Sequence, residues 1–152
     1  MPWPHILAGV VGAVIGAAVA YGFQVRESRQ LAKGAARAVY IELAANMTAA
    51  RMGAKGDPLG RVGRDVYLAE ASRLAVYLRP NEMLAVAWAY QLIPEAEEAL
   101  ATLRAGGGRK ADDPERAILA QAAAAIEPAT TMLNPRVWSP GERAAHNRRV
   151  RE

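Results

Sequence analysis

Glu42 and Asn46 stand one helical turn apart inside an otherwise apolar stretch from Ala38 to Ala50, flanking Val39, Leu43 and Met47. A carboxylate held among such neighbours needs a cation or hydrogen-bond donors to offset its lost hydration. Arg73 or Arg79, further along the chain, is the expected partner, making Glu42 and Asn46 a structural polar pair that fixes helix register. An enzyme site built around Glu42 is the alternative reading. Tyr40, Tyr67, Trp88 and Tyr90 fall on predicted helices, where aromatics serve a core or a partner surface more often than a cofactor pocket. Glu95, Glu97 and Glu98 follow Pro94 at a helix start, where the dipole favours acids on a solvated face.

Little other chemistry is on offer. The 152 residues contain no cysteine and two histidines, His5 and His146, which excludes a disulfide framework, a thiolate metal site and a cysteine nucleophile. No P-loop, GxGxxG, HExxH or GxSxG pattern occurs. No Glu is followed three residues later by His, the spacing a carboxylate-bridged metal site in a helical bundle requires. The expectation is a non-catalytic protein without cofactor or metal.

The elements that must position these residues begin with a charge-free run of 18 residues, Ile6 to Phe23. As a helix it spans about 27 Å, close to the ~30 Å hydrocarbon core of a bilayer. Trp3 at one end and Tyr21 and Phe23 at the other suit the two interfaces. No Lys or Arg precedes the run, whereas Arg26, Arg29, Lys33 and Arg37 follow it as membrane-interface cations. The positive-inside bias then leaves the N-terminus outside and the rest of the chain in the cytoplasm of a bacterium, anchored in its inner membrane. Ala18-Val19-Ala20 resembles a signal-peptidase site, but the basic leader that such a peptide needs is missing. Ala8, Gly12, Gly16 and Ala20 recur every four residues and offer a small-residue face for membrane helix packing.

Beyond the run, Ala32, Ala35, Val39, Leu43, Met47 and Ala50 continue the first helix as an amphipathic stripe to about Gly53. A second helix is expected from an Asp65 N-cap to Leu78, with Tyr67, Leu68, Ala71, Leu74, Ala75 and Leu78 inward. A third follows Pro80 and reaches Ala105, kinked or briefly broken at Pro94. A fourth opens at Asp113-Pro114, kinks at Pro128 and ends at Asn134-Pro135, with Ile118, Leu119, Ala122, Ala125, Ile126, Ala129, Met132 and Leu133 inward. No β-branched run of period two appears. The predicted fold class is all-α: a single N-terminal transmembrane helix (1–23) continuing into a bundle of three to four helices (24–134), then a basic tail (135–152). The 34 alanines imply closely set helices.

Net charge is +4, divided as +3 over residues 24–51, −2 over 52–134 and +3 over 135–152. Arginine supplies 16 of the 19 basic residues, a composition typical of a GC-rich bacterial or phage genome. The tail has only Trp138 as an aromatic platform, so nucleic acid is not an expected partner. Membrane lipid, and either another membrane-complex subunit or a second copy, are. The functional expectation is an accessory subunit or scaffold of a membrane complex. The alternative is a phage lysis or envelope factor, spanin-like, with its bundle on the opposite side of the membrane.

Overall fold

A computed structural model describes residues 3–106 and 114–142, with side chains described from residue 16 onward. All regular structure among them is helical: α1 (Trp3–Ala54), α2 (Asp65–Tyr77), α3 (Pro80–Gln91), α4 (Ile93–Ala105) and α5 (Pro114–Val137). The all-α expectation therefore holds, with five helices.

Among the described residues no helix is long and apolar enough to cross a membrane. Only Gly16–Phe23 of the expected span has described side chains, and those eight residues cover about 12 Å of helix, far less than a bilayer core. The expected packing face at Ala8 and Gly12 lies outside the described side chains. Gly16 and Ala20 are exposed, and a Cβ placed on Gly16 would meet no atom within 4 Å. Backbone helix nevertheless runs unbroken for 52 residues from Trp3, through Gly34, into the bundle.

The second half of α1 and the whole of α5 form a central antiparallel pair. Arg37 reaches Val137, Arg51 pairs with Glu127, and Gly53 abuts Leu119, so rising numbers on one helix meet falling numbers on the other. Ala32, Ala35, Ala36, Val39, Leu43, Ala49 and Ala50 are buried on α1, and Leu119, Ala122, Ala123, Ile126, Ala129, Leu133 and Val137 on α5. Burying each Leu or Ile contributes about 1.5–3 kcal/mol, and the intervening alanines let the helices approach. Gly53 leaves the room that two leucine side chains fill: a Cβ there would stand 2.6 Å from Leu100 and 2.7 Å from Leu119. The α2 helix packs on α1, while α3 and α4 cover α5.

Several helix limits differ from expectation for identifiable reasons. The break near Pro94 falls at Leu92, dividing the expected third helix into α3 and α4, because Pro94 has no N–H for the carbonyl of Tyr90. Pro128 and Pro135 are both accommodated inside α5, which continues past Asn134 to Val137. That last turn is held from outside: Val137 is fully buried, and the Arg136 and Val137 carbonyls accept from Tyr77 and Arg37. Leu68 and Ala75, expected inward on α2, are exposed, because α2 buries only a narrow edge around Leu74 and Leu78. The expected N-cap at Asp113 lies outside the described residues, as does the tail from residue 143.

Candidate functional site

The polar residues of α1 grip the ends of other helices. Glu42 Oε1 accepts from the Val66 N–H at 2.9 Å and Oε2 from the Tyr67 N–H at 3.1 Å. These are second and third residues of α2, whose first N–H groups have no partner within the helix. The expected Asp65 cap is absent: Arg64 occupies the N-cap position without a side-chain cap bond, and Asp65 is the first helical residue. Glu42 thus does from another helix what an N-cap does locally, its charge facing the positive end of the α2 dipole. The Tyr90 hydroxyl donates to the same Oε2 at 2.5 Å. Tyr90 is buried and its ring stacks on Tyr67, centroids 4.3 Å apart. Burial, with the adjacent carboxylate, pushes the Tyr90 phenol far above its ordinary ionisation range.

The cation expected for Glu42 is therefore replaced by three hydrogen-bond donors. Arg73 pairs with Glu70 on its own helix instead, and the Arg79 backbone N–H donates to Glu82. Asn46, buried one turn further on, donates to the Gly63 carbonyl at 2.7 Å and accepts from the Gly63 N–H at 3.0 Å. Together the two side chains clamp the strand of loop that leads into α2. Arg104 completes the hold on this loop from α4, donating to the carbonyls of Pro58 and Gly60. With both Glu42 oxygens committed to these donors, the arrangement works as a structural clasp.

Arg37 does not join Arg26, Arg29 and Lys33. It donates to the Val137 carbonyl at 3.0 Å and to Glu142 at 2.9 Å, and its guanidinium lies 4.2 Å from the centre of the Trp138 ring. Tyr40 meets the same indole edge-on at 6.2 Å. Glu142 is held down to a pKa of about 2 by the Ser139 backbone and hydroxyl hydrogen bonds and by Arg37. Arg26, Arg29 and Lys33 remain exposed on α1, about one to three turns nearer the apolar run.

Of the four aromatics singled out, Tyr67 and Tyr90 stack in the clasp and Tyr40 packs on Trp138, but Trp88 is 62% exposed. With Leu84, 68% exposed one turn before it, Trp88 borders a cleft of about 480 Å³ between α3 and α5, floored by Ala85, Ala125 and Pro128. Leu84 was not singled out, although its i, i+4 relation to Trp88 is visible in the chain. Glu95, Glu97 and Glu98 are all exposed, and no group of metal-ligating side chains is found among the described residues.

No protein-family model, curated protein or solved structure matches this chain. The reading of function rests on its own geometry.

Proposed function

We propose that this protein is a single-pass membrane protein whose helical bundle serves as an accessory subunit or scaffold of a membrane complex. The observation that carries the reading is the continuity of α1. One helix of 52 residues joins the charge-free run Ile6–Phe23 to the clasp and core of the bundle. A helix apolar on every face has no reason to project from a soluble bundle, and a bilayer is the solvent that suits it. The bundle then lies on the side marked by Arg26, Arg29 and Lys33.

Two surfaces fit a partner. The first is the small-residue line Ala8, Gly12, Gly16 and Ala20, suited to a second transmembrane helix. The second is the Leu84–Trp88 cleft, where an exposed indole beside an apolar hollow has the composition of an interface hot spot. Purification of the full chain in mild detergent should yield a stoichiometric companion or a defined homo-oligomer, and Trp88→Lys should weaken it with the fold intact. A lone monomer in detergent would defeat the scaffold reading. Alkaline phosphatase activity from a reporter fused after Glu152 would reverse the orientation.

A further inference from the structure

Arg26, Arg29 and Lys33 sit at i, i+3 and i+7 on α1, so all three project within about 60° of one another around the helix. They line a cleft of about 410 Å³ that is closed on its far side by Tyr77 from the end of α2, with Gly22 and Val25 as its apolar base. Among the described residues none of the three cations has an ion pair or a side-chain hydrogen bond: Glu142 is paired with Arg37 and Glu82 with Arg136, while Glu27, on the same helix, projects about 100–160° around the axis from the three cations. Tyr77 is fixed in place by its own bond to the Arg136 carbonyl at 2.8 Å. The cleft therefore combines three cations without an ion pair, an apolar base and an aromatic wall.

Its position along α1 decides what it suits. Arg26 and Arg29 lie about 4.5 and 9 Å beyond Phe23 along the axis, the depth of the head-group layer outside a hydrocarbon core that ends at Phe23. Lys33 lies about 15 Å beyond, but helical side chains lean toward the N-terminus and a lysine stem reaches back along apolar surface. All three charges thus converge on the layer where lipid phosphates reside.

We propose that this cleft holds the phosphate of an anionic phospholipid head group, with Arg26, Arg29 and Lys33 as its cations and Val25 and Tyr77 against the glycerol end of the lipid. The assignment rests on the membrane reading above and adds a specific lipid site to it. Three charges near an anionic surface, each contributing at the scale of a juxtamembrane arginine, correspond to about a 100-fold preference for the anionic lipid.

The test uses the full chain in vesicles of phosphatidylcholine with or without phosphatidylglycerol, followed by native mass spectrometry from neutral detergent. The intact protein should retain phosphatidylglycerol. Arg26→Gln/Arg29→Gln/Lys33→Gln should lose that retention by about 100-fold with unchanged helicity. Lys55→Gln/Arg61→Gln/Arg64→Gln, which removes three charges at the other end of the bundle, should keep it. Equal retention by both triple variants overturns the lipid site. Displacement of the lipid by an equal concentration of inorganic phosphate would make the ligand a soluble anion and also overturns it. Failure of the unaltered chain to float with phosphatidylcholine vesicles overturns the membrane reading itself, whereas flotation without lipid preference overturns only the site.

Discussion

Replacing Glu42 by alanine removes the acceptor for three donors at once. Two are the Val66 and Tyr67 N–H groups at the mouth of α2, where water can partly take over, at about 1 kcal/mol each. The third is the Tyr90 hydroxyl, on a residue only 3% exposed, which is left unpaired at a cost of about 2 kcal/mol. The expected loss is about 4 kcal/mol, which for a chain of this size lowers the Tm by about 10 °C. Glu42→Gln keeps one acceptor oxygen but turns an amide donor toward other donors and discards the charge, so about half that loss is expected. Thermal and urea unfolding of the full chain in mild detergent, followed by circular dichroism, reads both. A double-mutant cycle with Tyr90→Phe should show coupling of about 1 kcal/mol. Arg73→Ala and Arg79→Ala should each cost less than about 0.5 kcal/mol, as expected for exposed cations. If Glu42→Ala costs under about 1 kcal/mol, or Arg73→Ala costs as much as Glu42→Ala, the tertiary-cap account is refuted.

Gly60→Ala should destabilise by about 1–3 kcal/mol, because the new Cβ would meet the Ala49 side chain and stand 2.7 Å from the Ala49 Cα, a backbone atom of α1 that cannot move aside; unfolding midpoints equal to those of the unaltered chain would contradict this. The Glu142 carboxyl should titrate at about 2 by NMR. Its folded value lies below the unfolded one, so its favourable contribution is present above the unfolded carboxylate range and is lost as pH falls toward about 2. Arg37→Gln should move that titration upward; an unmoved titration would mean that Arg37 does not act on it.

The helices themselves were legible because their stripes are long and their punctuation is strong. Ala32, Ala35, Val39, Leu43 and Ala50 are all buried, as the three- and four-residue spacing implies, and Pro80 and Pro114 open helices as their fixed φ favours. Glu42 and Asn46 stood out for a physical reason too, since polar groups in an apolar stripe must find partners. Their partners could not be read from the chain. Val66, Tyr67 and Gly63 contribute backbone groups, which every residue carries and no side-chain pattern marks. Arginines 73 and 79 looked suitable because charge is visible in a sequence, whereas an unoccupied helix end is not. The same blindness placed the end of α5 at Asn134: its last turn survives Pro135 only because Arg37 and Tyr77, distant in the chain, satisfy its carbonyls.

A common feature of these contacts bears on how α1 orients the rest of the bundle. Within ten residues of α1, Arg37 holds the C-terminal end of α5, Glu42 the N-terminal end of α2, and Asn46 the loop before it. The first two grips act on a helix terminus and the third on the loop leading into one, where unpaired backbone groups make a hydrogen bond most valuable and most directional. Side-chain packing along alanine-rich faces tolerates sliding, because small residues present few ridges. Bonds to helix ends do not, since a shift of one residue along α1 turns each gripping side chain by about 100° away from its partner. The register between α1 and the rest is therefore set by these polar contacts. Whatever rotation the N-terminal part of α1 adopts in its surroundings is passed to the Leu84–Trp88 cleft at the other side of the bundle. Glu142, more than 100 positions from Arg37 in the chain, is held by it in the same way just beyond the end of α5.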